Sequence, residues 1–231
     1  QLSLNAGLRQ FGDRGKKAVT KELTQLHEKV AYVPVDPESL SAEQKNEAMR
    51  SICLLTEKRD GSIKAREVAD GSSQRRRPGY KKEDSASPTV ATESIFITGA
   101  IEAHEGRKVN CYDIPGAYLH AECEEGHQYM RLNGQLAELM VLVDPKLYRK
   151  HVRYSAKGEA VLYVQIAKAL YGMLKSALWW YRTLRTNLEE FGFKVNPYDP
   201  CVANADVNGS QMTMTWHVDD LKVFHKEGKE L

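Results

Sequence analysis

The chain has 231 residues, 42% of them hydrophobic, and carries 33 Lys plus Arg against 31 Asp plus Glu, a net charge of +2. That length and apolar fraction suffice for one large or two small packed domains and exclude a low-complexity or disordered chain. No run approaches the roughly 18 uninterrupted apolar residues of a membrane span, and the start QLSLNAGLRQFGDRG lacks the basic and apolar regions of a secretory leader. A soluble protein is expected. It begins without Met and stops at KEGKEL, so it reads as a piece of something longer. Cys53, Cys111, Cys123 and Cys201 form no C-x-x-C pair, and they read as small buried hydrophobes in a reducing compartment.

In chain order, KKAVTKELTQLHEKVAY places Val19, Leu23, Leu26 and Val30 at helical spacing. A charged turn and a second, mostly exposed helix are expected in PVDPESLSAEQKNEAMRS. SICLLTEKRDGSIKAREVADG reads as a hairpin turning at Asp60-Gly61, its second arm presenting Lys64 and Arg66 on one face by period-two alternation. QRRRPGYKK then clusters Arg75, Arg76, Arg77, Lys81 and Lys82, a basic loop suited to phosphate.

SASPTVATESIFITGAIEAHEG predicts a helix capped by Ser87, with Pro88 in its first turn, Val90, Ile95, Ile97 and Ile101 on its inner face, and Gly106 as its stop. KVNCYDIPG is a short strand ending at Asp113. QYMRL, ELMVLVD and AVLYVQIAKAL read as strands and DPKLYRKH as a helical turn. LKSALWWYRTLRTNLEEFGF predicts the longest helix, with a stripe of Leu174, Leu178, Tyr181, Leu184 and Leu188 and a stop at Gly192, and one of Trp179 and Trp180 in the core. The end, CVANADVNGSQMTMTWHVDDLKVFH, turns at Asn208-Gly209 and again beside Asp219 and Asp220. Helices mix with antiparallel strands without βαβα alternation, so the class is α+β.

Asp113 at one strand end and Asp219-Asp220 at a hairpin tip would converge if the two elements share a sheet. Three such carboxylates repel unless a cation offsets them. Oxygen-only ligands suit Mg²⁺, and two such ions would serve an in-line phosphoryl displacement. One rival is a zinc deaminase site. His120-Ala121-Glu122 matches half of its signature, but Pro200-Cys201-Val202-Ala203-Asn204 breaks the C-x-x-C half and removes one of three zinc ligands. His120 then reads as an ordinary polar residue beside a turn.

The segments KAREVADGSSQR, SPTVATESIFITGAIEAHEGRKVNCYDIPGAYLHA, LYVQIAKALYGMLKSAL, FGFKVNPYDPCVAN and MTWHVDDLKV, in that order, resemble the reverse transcriptase domain of copia-type (Pseudoviridae) LTR retrotransposons. The resemblance runs from Ile63 to Phe224. It implies a polymerase palm, a small antiparallel sheet backed by helices, with a fingers subdomain and no thumb. Residues 1–60 would be an N-terminal fingers extension and residues 61–231 the fingers and palm core. It implies Asp113, Asp219 and Asp220 as catalytic, metal-holding residues, with two Mg²⁺ ions, or Mn²⁺ in their place, bridging Asp113 and Asp219 while Asp220 supports them.

By the same resemblance Tyr118 matches the aromatic gate that excludes a 2′-hydroxyl, and Lys64 and Arg66 match the cations that hold the triphosphate. Gly172, with Lys175 nearby, matches the box where the backbone approaches template and nucleotide. His217 stands where Tyr is more usual, next to the primer end, and Asp70 stands where many members have Arg. Arg75, Arg76, Arg77, Lys81 and His217 are the expected nucleic-acid contacts. The implied partners are an RNA or DNA template, a primer and deoxynucleoside triphosphates, with an upstream integrase and a downstream RNase H in one polyprotein. The implied setting is an intracellular virus-like particle whose product complex reaches the nucleus, with no membrane. A second reading, a copy that no longer polymerises and serves as a nucleic-acid-binding module, stays open: His217, Asp70 and the missing thumb favour it, and the intact acids and Tyr118 oppose it.

Overall fold

The structure is a computed structural model that describes residues 1–76 and 81–226. Its elements are β1 (Leu2–Ser3), α1 (Leu4–Glu28), β2 (Tyr32–Pro34), α2 (Ala42–Glu47), β3 (Met49–Glu57), β4 (Ile63–Ala69), α3 (Thr92–Glu105), β5 (Lys108–Asp113), β6 (Tyr129–Asn133), α4 (Gln135–Val143), α5 (Pro145–Tyr148), β7 (Arg153–Tyr154), β8 (Ala160–Ile166), α6 (Ser176–Glu190), β9 (Lys194–Val195), β10 (Val202–Val207), β11 (Ser210–His217) and β12 (Asp220–His225). The chain forms two compact units, Gln1–Lys81 with Glu122–Ser176, and Lys82–Ala121 with Ala177–Leu231. Among the described residues no helix is long and apolar enough to cross a membrane.

The first unit is a sheet in the order β1-β3-β6-β8-β2, with β4 paired to β3 and β7 to β8. Every pairing is antiparallel except β3 with β6. Helix α1 packs Val19, Leu23 and Leu26 into the core, each such side chain contributing about 1.5–3 kcal/mol. Close seating needs small residues: a Cβ on Gly7 would lie 2.9 Å from the Leu55 Cβ. The helix starts well before the periodic stretch that predicted it, and it is broken at Gly12, whose φ of 53° and ψ of −129° only glycine adopts readily.

ELMVLVD, predicted as a strand, is the body of α4. Leu136, Ala137, Leu139 and Met140 are its buried positions, a three- and four-residue repeat that a short unbroken apolar run conceals from a periodicity reading. The β3–β4 hairpin is as expected, with Asp60 Oδ1 accepting from the Ser62 N–H at 2.9 Å.

The second unit is an all-antiparallel sheet in the order β5-β12-β11-β10-β9. The Asn208-Gly209 turn is as read, both residues at positive φ. Helix α6 lies on the Trp216 side: the Tyr181 and Trp216 rings stack at 6.4 Å, and Trp179 and Trp180 are both buried rather than one. Of the stripe read for this helix, Leu174 lies ahead of its first turn.

Helix α3 covers the alternate face, where Lys222 Nζ meets Glu102 Oε1 at 2.6 Å. It begins at Thr92 with Ala91 at its cap position and no side-chain cap bond, so Ser87 and Pro88 lie before it rather than in it. Nor do its isoleucines fill an inner face. Ile95, Ile97 and Ile101 stay 44%, 60% and 38% exposed, and Thr98 and Glu102 are the buried positions. The sheet face below carries Thr213, Thr215, Lys222 and the buried Phe224, and Glu102 of the helix pairs with Lys222. Gly106 ends it in the left-handed conformation as expected. Cys53 and Cys201 are buried, but Cys111 is exposed on β5 and Cys123 is half-buried, because all six β5 side chains are exposed.

One buried acid in the first unit has no cation among its hydrogen-bond partners. Glu67, on the inward face of β4, accepts from Ser51 Oγ at 2.5 Å and from Tyr32 Oη at 2.9 Å. Its own N–H donates to Glu22 Oε1 at 3.1 Å. It thereby joins β4 to β3, β2 and α1. Burial pushes its carboxyl up to about 7 against the two hydroxyl donors, with the charge of Glu22 adding to the rise. Glu22 is itself raised by burial, against the opposing pull of the Glu67 N–H, Arg66 and Lys64. Folding therefore favours protonated Glu67. The stability from that proton is present in full below the ordinary carboxylate value of 4.5 and is lost as the pH rises to about 7, on the order of 3 kcal/mol in all. Glu67→Gln, neutral at every pH, is expected to match the wild type near pH 5 and exceed it at pH 8, read from urea melts at the two pH values.

Candidate active site

The second turn of the C-terminal meander places two acids at the end of the sheet. Asp220 is the first residue of β12 and stands opposite both His217 and Asp113 in the ladders. Directly opposed residues sit about 4.5–5.5 Å apart at Cα with side chains on one face. The turn between His217 and Asp220 holds Val218 at φ 60°, a left-handed conformation that costs a β-branched residue about 1–3 kcal/mol. Two hydrogen bonds hold it there. Trp180 Nε1 donates to the Val218 carbonyl at 2.7 Å, and the Ile114 N–H donates to the Asp219 carbonyl at 3.0 Å. The second bond ties the turn to the residue that follows Asp113.

Asp113, His217, Asp220 and Lys222 line one cleft of about 440 Å³, walled on the helix side by Val90 and Ile95. Asp219 lies on the turn beside it. Among the described residues no group of three or more His, Cys, Asp or Glu side chains is gathered closely enough to hold a metal ion by itself. The donor chemistry still fits Mg²⁺: two carboxylates open to solvent, all-oxygen, with room for water and phosphate oxygens to complete the shell. Tyr118 is half-buried in a single 3-10 turn, Ala117–His120, entered through Gly116 at φ 63°, and is not among the cleft's lining residues.

The other expected site residues lie in the first unit. Lys64 is exposed and Arg66 half-buried on the outward face of β4. The Arg66 guanidinium carbon lies 4.4 Å from the centre of the Tyr171 ring. Gly172, at φ 92°, makes its close approach to β4 itself: a Cβ there would sit 2.0 Å from the Ala69 carbonyl oxygen. Gly71 is equally constrained, since its Cβ would sit 2.2 Å from the Gly172 oxygen. The Ala69 N–H donates to the Tyr171 carbonyl at 2.8 Å, and buried Gln74 accepts from the Leu174 N–H at 3.0 Å. Lys175 is paired with Glu125 at 2.8 Å.

Arg75, Arg76 and Lys81 are exposed, while Arg77 lies outside the described residues. Asp70 accepts from the Ser72 N–H at 3.1 Å. Hydrogen bonds from Ser72 hold its carboxyl below the usual range, so this acid starts the 3-10 turn Gly71–Arg76. Tyr171 and Gln74 were missed as site-building residues. Only the apposition of Tyr171 and Gly172 in ALYGMLKSA hinted at them. Gly172→Ala is expected to destabilise the first unit by at least about 3 kcal/mol, because left-handed strain and a clash with backbone add. Gly99→Ala, in a helix with open space at its Cβ position, is expected to be neutral or to gain up to about 1 kcal/mol. Urea melts of the two variants check the contrast.

Comparison with known proteins shows the family. A family model described as reverse transcriptase (RNA-dependent DNA polymerase) matches residues 48–231. The Gag-Pol polyproteins of the Saccharomyces cerevisiae (strain ATCC 204508 / S288c) transposons Ty1-DR4 and Ty1-DR6 are each 27% identical over 179 residues, 77% of this chain. That of transposon Ty1-LR2 is 27% identical over 180 residues, 78% of this chain. The chain spans 9% of the length of each of these relatives. With the family model covering residues 48–231 and Ty1 Gag-Pol polyproteins among its relatives, the chain belongs to the reverse transcriptase family, in its copia-type retrotransposon branch.

Proposed function

We propose that the chain is the fingers and palm of an RNA-directed DNA polymerase, cut from a retrotransposon polyprotein. The observation that carries this reading is the cross-strand pairing of Asp113 with Asp220 at the mouth of one cleft, with Asp219 tied to the same strand end through Ile114. The second unit is the palm. The first is the fingers, with residues 1–60 as its N-terminal extension.

Asp113, Asp219 and Asp220 hold the divalent cations, Asp113 and Asp220 from the cleft and Asp219 from the turn. Two bound Mg²⁺ ions, or Mn²⁺ in their place, supply a lowered pKa for the primer 3′-hydroxyl and charge neutralisation on the triphosphate. The O3′–Pα bond forms as the bond from Pα to pyrophosphate breaks. Lys64 and Arg66 offset the charge that builds on the departing pyrophosphate. Tyr118 excludes a ribose 2′-hydroxyl, His217 meets the primer end, and Arg75, Arg76, Arg77 and Lys81 contact the template backbone. Gly172 and Lys175 shape the nucleotide side of the fingers. Integrase upstream and RNase H downstream complete the polyprotein, inside an intracellular virus-like particle whose product passes to the nucleus.

The test is extension of oligo(dT) on poly(rA) with Mg²⁺, by the chain alone and within its longer polyprotein segment. Asp113→Asn is expected to lower the extension rate at least about a hundredfold while leaving the urea melt unchanged. Extension at the wild-type rate by Asp113→Asn would remove Asp113 from the catalytic site, and no extension by the wild type within the longer segment would leave only a nucleic-acid-binding module.

A further inference from the structure

We propose that Tyr171 is a positioning residue for Arg66, and that the two together make a preformed site for the phosphates of an incoming nucleotide. This deepens the polymerase reading and rests on it for the identity of the ligand, but the site itself stands on the geometry of the first unit alone.

Arg66 belongs to β4 and Tyr171 to the segment between β8 and α6, 105 positions apart in the chain. Their apposition at 4.4 Å is enforced by backbone. The Tyr171 carbonyl takes the Ala69 N–H at 2.8 Å, and Gly172 and Gly71 each press so close to the opposing chain that neither tolerates a Cβ. Gln74 fastens the far side through Leu174 at 3.0 Å. The Tyr171 backbone is therefore fixed relative to β4, and the Arg66 guanidinium lies over its ring.

A guanidinium over an aromatic face spends its π surface on the ring and keeps its N–H donors in its own plane, pointing away from it. That is the orientation in which Arg meets phosphate oxygens through a two-bond fork. An unsupported Arg side chain loses roughly 2 kcal/mol of rotamer freedom when it is fixed. A ring that holds it in advance removes part of that loss from the binding step. Lys64, two residues before Arg66 on the same outward face, adds a second charge. Of the neighbouring acids, Glu67 faces inward to Ser51 and Tyr32, while Glu22, which takes the Glu67 N–H, lies near enough to feel the charges of Arg66 and Lys64 and tempers them.

The probe is inorganic tripolyphosphate without divalent metal, which leaves the carboxylate site of the second unit out of the measurement, with binding to the whole chain followed by titration calorimetry. Tyr171→Phe, which keeps the ring, is expected to bind within twofold of the wild type. Tyr171→Leu is expected to bind about five- to tenfold more weakly, with an unchanged urea melt, as is Arg66→Lys, which keeps the charge and loses the planar fork. Wild-type affinity in Tyr171→Leu or in Arg66→Lys overturns the proposal, as does an equal loss in Tyr171→Phe. Absence of measurable binding by the wild type overturns it too. If Tyr171→Leu melts early, the Phe and Lys variants decide between them. None of these outcomes touches the polymerase reading, which the extension assay decides separately.

Discussion

Six consecutive residue pairs, from Asp220 opposite Asp113 to His225 opposite Lys108, tie β12 to β5. A slip of that ladder by one residue would send Asp220 to the other face of the sheet. Register is therefore the constraint on which the carboxylate site depends, and three independent features hold it. Val223, Phe224 and His225 are buried along β12 on alternating faces, so a slip would put each against the packing partners of the opposite face. Lys222 is paired to Glu102 of α3, which pins the same strand from the helix side. The turn ahead of Asp220 is kept tight by hydrogen bonds to two successive carbonyls. The left-handed Val218 is the strain that this turn accepts. Its cost is met by the Trp180 indole, which is buried for that purpose as much as for packing.

The first unit solves a different problem by a different device. It must hold two outward cations at defined positions on a two-stranded arm, and long charged side chains do not order themselves. The arm is made stiff from beneath and from its end. Beneath it, Glu67 gathers hydroxyls from β2 and β3 while its own N–H reaches α1. At its end, two glycines allow contact of backbone with backbone. A buried carboxyl is an expensive fastener, and its raised pKa is the measure of that expense. It is tolerable because both of its oxygens have donors.

Sequence reasoning reached the acids, the cations and the hairpins because each of these has a local signature: alternation, a turn dipeptide, a charge at a strand end. It missed what non-local packing decides. The isoleucines of α3 looked like a buried face, yet Thr98 and Glu102 are the buried positions, over a sheet face that mixes Thr213, Thr215 and Lys222 with Phe224. ELMVLVD carried no period that separates helix from strand. Asp70 looked like a wrong charge among cations, whereas its nearest business is the Ser72 N–H. Gly172 was read by resemblance as a close approach to template and nucleotide, and sequence did not show that it also approaches the Ala69 carbonyl. In each case the missing information was the identity of a partner far away in the chain.

The carboxylate site and the cation site have opposite electrostatic characters, and each is left open in its own unit. A cluster of three acids closed around a cation would bind it without substrate and would resist the changes of coordination that phosphoryl transfer requires. On the proposed function, two carboxylates facing a cleft, with a third on the adjoining turn, would bind a hydrated Mg²⁺ weakly until phosphate oxygens complete its shell, so that metal and nucleotide would arrive as one ligand. On the proposed reading a guanidinium held over a ring would be oriented without any metal, so the anion site would be formed before the phosphates arrive, whereas the carboxylate site would be completed by them.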